Sequence, residues 1–290
     1  MSSGKERPQA AMLDSRTYAP PDDLAPYIRR FYIFEVPLPD DSLIEDSLLA
    51  ENAFVRILLK GEWQAETSSG EWSFPSPALL FGSNSAPLPV RVKGGFNVAG
   101  FAIRPSAWRA LFKQPASDFV NQMVPLSRLW GELADTMLAE IQAAPDDGGK
   151  LQAMIAAIRA QIKRVGRKRI DEKIQQFEAM ARLDSTIKIE SAARQLDISV
   201  RQMERRCMSC YGLTPKSILR RSRFLDVAEA MRGFSTPDQK QLAELRYFDQ
   251  SHLIREFHRF AGMTPGKFRK AQTPLFTAGL LLRVQGKDIG

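Results

Sequence analysis

A short stretch between residues 249 and 268 combines polar, base-sized side chains with clear helix boundaries. Asp249 is a good N-cap, and Leu253 and Phe257 fall four residues apart on one helical face. A glycine and a Thr-Pro pair then end this helix and start another. A short helix with polar side chains in its first two turns suits the DNA major groove. The candidates for base recognition are Gln250, Ser251, Ile254 and Arg255.

The same pattern occurs once before, displaced by 50 residues. Ser199 stands where the later copy has Asp249, and the glycine and Thr-Pro pair recur at Gly212 and Thr214-Pro215. This spacing predicts a duplicated helix-turn-helix unit, and two copies suit a protein that binds two neighbouring grooves. The candidates for base recognition in this copy are Arg201, Gln202, Glu204 and Arg205.

The candidate side chains of the two copies favour different bases. Arginine can bond two guanine acceptors and glutamate can accept from a cytosine amino group, so the first copy should favour G·C pairs. Glutamine suits adenine, and Ile254 is available for a thymine methyl group. Arg205 and Arg255 recur at one position of the repeat, so a structural ion pair is an alternative role for each.

A helix predicted from Pro215 to Arg232 joins the two copies. Its 18 residues span about 27 Å at 1.5 Å per residue, close to the roughly 34 Å between successive major-groove faces on one side of B-DNA. One chain should therefore contact two groove segments about one turn apart. The side chains expected to contact phosphates are His252, Arg220, Arg221, Arg223, Lys267, Arg269 and Lys270. For His252, a role at the helix cap is the alternative.

Positive charge is concentrated in the part of the chain that carries the two copies. Residues 166–272 hold 22 Lys and Arg against 13 Asp and Glu, whereas residues 1–165 hold 17 against 19. A solvated basic face would explain the charge alone, but the charge together with the duplicated unit indicates a polyanion-binding domain. The sequence therefore predicts double-stranded DNA as a partner.

This segment resembles the AraC/XylS-type bacterial transcription regulators over roughly residues 168–272. The resemblance implies a protein that acts at promoters with RNA polymerase, most often as an activator. It rests on Ser199-x-Arg201-x-Met203-x-Arg205, Gly212-x-Thr214-Pro215, the helix Ile218 to Leu225 leading to Ala228, and the signature from Tyr247 to Phe268. The departures from the family pattern are Arg246 in place of a turn glycine, Cys207 in place of a phenylalanine, and Ser217 in place of an aromatic residue.

Residues 28–103 show short β-branched and aromatic runs separated by Gly, Pro, Ser and Asp clusters. This pattern predicts an antiparallel sandwich or small barrel, so the expected fold class is α+β: a β-rich half, a helical connector, and an all-α half. The resemblance implies that the β-rich half is cupin-like and binds a small-molecule effector. Side chains that could line a pocket, or else form plain core, are Phe31, Phe54, Trp63 and Phe81.

Both histidines, His252 and His258, lie in the C-terminal half. Residues 1–165 therefore cannot carry the histidine-rich metal site of catalytic cupins, and they lack the usual general base of hydrolases. No metal or other cofactor is expected. Neighbouring carboxylates could still act on a substrate, although a solvated acidic loop is the commoner explanation for them. They are Glu45, Asp46 and Glu51.

Helical periodicity begins after Pro105, where Trp108, Leu111 and Phe112 have i, i+3, i+4 spacing. Two further apolar stripes follow. Such stripes are more often core than interface, but the resemblance implies that helices in this region pair two protomers into a homodimer. The stripes are Leu126, Leu129, Leu133, Met137 and Ile141, and then Met154, Ile155, Ile158 and Ile162.

Cys207 and Cys210 are the only cysteines, and their spacing is C-x-x-C. No second cysteine pair and no nearby histidine completes a zinc site. Cys207 falls at an apolar core position, where a small buried thiol is ordinary, and a redox switch is the alternative.

The predicted organisation is a tail (1–18), a β-rich sensor-like domain with a helical connector and dimerisation region (19–165), a DNA-binding domain (166–272) and a C-terminal tail (273–290). The start of the chain lacks an apolar signal segment. No apolar run approaches the roughly 20 residues of a membrane helix. We therefore expect a cytoplasmic protein.

These features predict a sequence-specific transcription regulator and not an enzyme. One alternative is an enzyme joined to a DNA-binding domain, which would need a nucleophile in residues 1–165, where there is no Cys and no His. The other alternative is a ligand-independent DNA-binding protein whose β-rich half serves only for dimerisation.

Overall fold

The computed structural model describes residues 14–66, 70–166, 170–234 and 250–288. In its first half, β-branched and aromatic residues alternate between the two faces of extended segments, which favours a sheet. The strands are β1 (Asp14–Tyr18), β2 (Ile28–Val36), β3 (Leu43–Leu48), β4 (Phe54–Glu66), β5 (Trp72–Ser73), β6 (Ala78–Phe81), β7 (Leu88–Ile103) and β8 (Met123–Pro125).

The described strands form one antiparallel sheet in the order β1-β2-β7-β4-β6-β8, with β3 on β7 and β5 on β4. The pairing of β4 with β7 shifts register between Leu58 and Glu62. Gly61 lies at this bend with a φ of 101°, and a β-carbon there would lie 2.7 Å from the Cβ of Phe96. A glycine is therefore required where the two longest strands approach each other at the bend.

Parts of this sheet correct the sequence-based expectations. Residues 14–18, assigned to the tail, form β1 and pair with β2. This polar strand gains partners distant in sequence, since Tyr18 donates a hydrogen bond to Asp147 at 2.8 Å. Glu45 and Asp46, for which a solvated acidic loop was the commoner explanation, instead lie in strand β3. Both segments form strands by pairing with distant parts of the chain, so their local sequence does not indicate a strand.

The rest of the chain is helical. Two short 3-10 helices, Pro105–Ala107 and Ala116–Phe119, flank the first helix. The α-helices are α1 (Trp108–Leu111), α2 (Ser127–Trp130), α3 (Glu132–Ala143), α4 (Asp147–Val165), α5 (Glu172–Leu183), α6 (Ile189–Gln195), α7 (Val200–Cys210), α8 (Pro215–Met231), α9 (Gln250–Ala261), α10 (Pro265–Lys270) and α11 (Pro274–Asp288). No described helix has the length and apolar character needed to cross a membrane. The predicted class, a β-rich half followed by a helical half, is confirmed.

The two faces of the sheet pack against different partners. One face, which includes Phe31 and Phe101, packs against α1 to α4. The apolar stripes of these helices lie in or against that core. The other face, which includes Phe54, Trp63 and Phe81, forms a second core. This second core also takes in residues of α11, the helix that stands where a C-terminal tail was expected.

Candidate nucleic-acid interface

Helix α7 is built as the sequence repeat predicts, with one face buried and one exposed. Ser199 caps it: the Ser199 hydroxyl accepts from the backbone N–H of Gln202 at 3.2 Å, and the Gln202 side chain accepts from the backbone N–H of Ser199 at 2.9 Å. Met203 and Cys207 point into the core of the first unit. The outer face of the helix is exposed to solvent. On it lie Arg201, Gln202, Glu204 and Arg205.

Helix α9 has the same division into faces. Phe257 and Phe260 are buried, whereas Ser251 and Arg255 are exposed and Ile254 keeps 37% of its surface accessible. Gln250 is the first residue of the helix. Its predicted N-cap, Asp249, lies outside the described residues. Within the described residues, neither Arg205 nor Arg255 forms an ion pair, which leaves their base-recognition roles open.

The boundaries after each recognition helix match closely between the two copies. Gly212 and Gly262 both have positive φ, 75° and 68°. The hydroxyls of Thr214 and Thr264 each accept from the backbone N–H three residues later, at 3.2 Å in both cases. The 50-residue repeat is therefore a repeat of structure from the recognition helix to the start of the next helix. Beyond that point the copies differ, because α8 continues to Met231 whereas α10 ends at Lys270. The segment that corresponds to α6 in the second copy falls within residues 235–249, outside the described part.

A buried ion pair links the joining helix α8 to the second recognition helix. Glu256, 1% exposed, accepts from the Arg220 Nε at 3.1 and 3.2 Å on its two carboxylate oxygens. The His252 Nε2 lies 4.0 Å from the same carboxylate. Arg220, predicted to contact phosphate, is thus occupied in fixing α9 on α8. The repeat gave no sign of this pair because the partner lies 36 residues away.

Arg221 also differs from the phosphate role expected of it. Arg221 is 4% exposed and donates to the backbone carbonyls of Glu51 at 2.7 Å and Asn84 at 3.2 Å. Burial lowers the pKa of its guanidinium to about 10. Its contacts lie inside the molecule, against the sheet domain. Arg223 is half-buried and donates to the Ser185 carbonyl at 3.1 Å.

A cleft of about 560 Å³ lies between the first unit, α8 and the start of α9. Four of its nine lining residues are Lys or Arg, and two of these, Lys188 and Lys216, were not among the residues predicted from the sequence. Lys216 follows Pro215 at the start of α8, a position that could have been recognised from the Thr-Pro boundary. Outside the cleft, three predicted phosphate ligands are exposed on α10. They are Lys267, Arg269 and Lys270.

The two cysteines are buried in the core of the first unit. Burial raises the pKa of the Cys207 thiol far above its usual value and raises that of Cys210 to about 12. Both thiols are therefore protonated near neutral pH and poor nucleophiles. Within the described residues, no cluster of three or more His, Cys, Asp or Glu side chains could hold a metal ion.

These features define a DNA-binding protein of the helix-turn-helix class: two recognition helices with exposed polar faces, in a basic region, with repeated caps and turns. A comparison with protein families matches residues 192–271 to a helix-turn-helix domain. The C-terminal part of this chain is an AraC-type helix-turn-helix domain. Residues 16–125 match a separate family described as a domain of unknown function (DUF6597).

Solved structures with a similar chain arrangement include ToxT from Vibrio cholerae bound to an unsaturated fatty acid. It is 12% identical, with a TM-score of 0.46, over 82% of this chain and 94% of that one. Another ToxT structure is 10% identical, with a TM-score of 0.45, over 83% and 97%. The AraC-like transcriptional activator CuxR is 13% identical, with a TM-score of 0.31, over 82% and 91%. No curated protein matches the chain significantly.

Proposed function

We propose that this protein is a transcription regulator whose two helix-turn-helix units bind two successive major-groove segments of promoter DNA. The matched geometry of α7 and α9, with the described helix α8 between them, is the observation that supports this most. The 17 residues of α8 span about 26 Å at 1.5 Å per residue. That length is near one helical turn of B-DNA, so both recognition helices can face the same side of a duplex.

The proposed base contacts follow the exposed faces. In the first unit they come from Arg201, Glu204 and Arg205, with Gln202 contributing through the part of its amide that the cap leaves unused. In the second unit they come from Gln250, Ser251, Ile254 and Arg255. The proposed phosphate contacts come from exposed or cleft-lining side chains, and Arg220 and Arg221 are no longer among them. They are Lys188, Lys216, Arg223, His252, Lys267, Arg269 and Lys270.

Selection of bound sequences from random duplex DNA at fixed salt tests this proposal. The wild type should enrich a bipartite site with half-elements about one turn apart. Arg201→Ala should relax only one element and Ile254→Ala only the other, because each side chain belongs to one recognition helix. Lys113→Ala is the matched control, since it removes an exposed residue from the connector. Enrichment of no sequence, with binding that only falls as salt rises, would reduce the domain to a general polyanion binder.

We propose activation as the promoter outcome, with RNA polymerase as the further partner. The AraC-type domain is the support for this choice. A reporter placed behind the selected site decides it: activation requires expression to rise when the protein is supplied, whereas repression lowers expression from the same promoter.

A second proposed function is binding of a small-molecule effector in the pocket of the sheet that α11 covers. The pocket there is lined by Tyr32, Phe34, Phe54 and Phe96, together with two arginines. The Arg56 guanidinium lies 5.1 Å from the centroid of the Phe54 ring and 5.0 Å from that of Trp63. The Nε atoms of Arg30 and Arg56 are buried without a hydrogen-bond partner among the described residues. Unused donors in an apolar pocket favour a ligand with an acidic group and an apolar body.

Thermal unfolding with medium-chain carboxylic acids and the matching alcohols tests this second function. The acids should raise the Tm of the wild type more than the alcohols do, because only the acids engage the guanidinium groups. Arg56→Met, which keeps the apolar stem, should remove the difference. Equal shifts for acids and alcohols in the wild type would contradict an acid-binding pocket.

A further inference from the structure

Helix α11, which follows the second unit, has two apolar faces that pack against different parts of the molecule. Leu275 and Ala278 belong to the core on the sheet. Phe276 and Leu280 belong to the core of the second unit. A helix with apolar residues on opposite sides is stable only between two partners. Helix α11 therefore connects the sheet to the second DNA-binding unit.

Both ends of α11 are held by residues outside it. At its start, the Asp46 carboxylate of β3 accepts from the backbone N–H groups of Leu275 at 2.7 Å and Phe276 at 3.2 Å. A carboxylate at a helix N-terminus satisfies unpaired donors and complements the helix dipole. Near its other end, Arg283 pairs with Asp226 at 3.0 Å and also with Glu229, both on α8.

Helix α11 also fills most of the pocket proposed for an effector. Leu275, Ala278, Gly279 and Leu282 form one wall of it. With α11 in place, the cavity that remains measures about 40 Å³, which is room for a few water molecules. Pockets for organic ligands usually measure about 300–1,000 Å³. An effector of that size cannot enter while α11 occupies its present position.

The DNA-binding half also touches the sheet domain directly, and two of these contacts involve Gly212 and Arg221. Gly212, in the turn after α7, lies so close to Ala116 that a β-carbon would come within 2.7 Å of the Ala116 carbonyl oxygen. Arg221 of α8 bonds to the Glu51 and Asn84 carbonyls. Both units and the helix between them are thus fixed on one frame. Binding of two groove segments requires the two recognition helices to reach a set spacing, and a frame that fixes both units opposes any adjustment of that spacing.

We propose that α11 is an autoinhibitory strap: it occupies the effector pocket, and while docked it lowers DNA affinity by holding the second unit on the sheet domain. This inference rests on the proposed DNA-binding function. An effector competes with α11 for the pocket, and release of the strap frees the second unit to adjust to DNA. By linkage, DNA binding and effector binding favour each other.

A reversible crosslink tests the strap directly. The Leu49 Cβ lies 3.1 Å from the position of a Cβ on Gly279, close enough for the double variant Leu49→Cys/Gly279→Cys to form a disulfide. The two native thiols are buried and do not compete. The oxidised variant should bind the selected DNA site at least about fivefold more weakly than the same protein after reduction. The single variants Leu49→Cys and Gly279→Cys are the controls and should show no such change.

Leu282→Glu provides the opposite perturbation, because it places a charge on the pocket face of α11 and spares Phe276 and Leu280. It should speed proteolytic cleavage within α11 and tighten DNA binding. Equal DNA affinity of the oxidised and reduced double variant overturns the strap, as does unchanged cleavage of α11 in Leu282→Glu. If neither redox form selects any DNA sequence, the proposed DNA-binding function fails instead, and the cleavage assay still decides whether α11 is displaced from the pocket.

Discussion

The core of the first helix-turn-helix unit is built mainly from residues near it in the chain, with Val120 of the sheet domain packed at its edge, whereas the core of the second unit recruits residues from far outside it. The core around α7 contains Phe177, Leu196, Met203 and Cys207, all within a short stretch of sequence. The core around α9 contains five phenylalanines, one of them on α11, and it also contains Leu49 and Ala50 of the sheet domain. The caps and turns repeat between the units, but the residues that form the two cores come from different parts of the chain.

This difference shows that a repeated local pattern does not give two equally independent units. Caps and turns depend on residues three or four positions apart, so a duplication copies them. Cores depend on what lies next to each copy in the folded chain. Both units contact the sheet domain, but among the described residues the second unit is the one that shares its core with α11 and Leu49, so displacement of α11 should act mainly on the second unit.

Of the substitutions that distinguish the two cores, Phe276→Ala should have the largest effect. The Phe276 ring contacts Phe268 with centroids 5.3 Å apart, and its removal should cost about 3–5 kcal/mol of unfolding free energy. Hydrogen exchange should rise mainly in α9 and α10. Met203→Ala is the matched control, because it empties the first core and should raise exchange in α7. An equal rise in α7 and α9 for Phe276→Ala would contradict separate cores.

Arg220→Met should have the next largest effect, because it leaves the Glu256 carboxylate buried without its partner. Breaking a buried pair costs about 3–5 kcal/mol, and we expect about 2–3 because Arg220 keeps part of its surface in water. Urea unfolding measures the loss. The double variant Arg220→Met/Glu256→Gln should recover part of it, and a double variant as unstable as the sum of both singles would argue against a direct pair.

Thr214→Ala should cost about 1 kcal/mol by removing the N-cap of α8. Thr264→Ala, which removes the matching cap of α10, should cost a similar amount, since both hydroxyls make the same bond to a backbone N–H. Comparing the two urea midpoints sharpens the contrast between shared caps and different cores. A Thr264 effect several times the Thr214 effect would show that the caps differ as well.

Alkaline pH should weaken the first unit by a smaller amount. Burial raises the pKa of both thiols, so they stay protonated in the folded state while the unfolded state ionises above its thiol pKa near 9.0. Their contribution to the free energy of unfolding is therefore complete below that pKa and declines as pH rises above it. Between pH 8.5 and 9.5 the loss should be roughly 0.5–1 kcal/mol per thiol. Cys207→Ala should show a shallower decline in stability over this range. Identical pH slopes for the variant and wild type would rule out a thiol contribution.

Much of the interface was predictable because its signals are local. Ser199, Gly212 and Thr214-Pro215 mark the ends of the first recognition helix and recur 50 residues later. The spacing of Met203 and Cys207 also separates the buried face of α7 from the exposed one. Periodicity and capping therefore predicted the exposed face of α7, although the use of each side chain on DNA stays a prediction.

The parts that were not predicted depend on distant partners. Arg221 has the composition of a phosphate ligand, and only the position of Glu51 and Asn84 shows that it is buried. Strand β1 is polar and has no periodic pattern, so its pairing with β2 is the only sign of order. Helix α11 follows the last motif of the repeat. The role of its two apolar faces can be recognised only from the folded structure, in which one face packs on the sheet and the other on the second unit.

The presence of Leu49 and Ala50 in the second core has a consequence for recombination. Exchange of DNA-binding halves between related regulators usually assumes that a cut in the linker separates two modules. In this chain, a graft that begins near residue 166 would leave Leu49 and Ala50 behind and so remove two residues from the second core. A functional chimaera therefore has to transfer the Leu49-Ala50 turn with the C-terminal half, or supply replacements for it from the recipient.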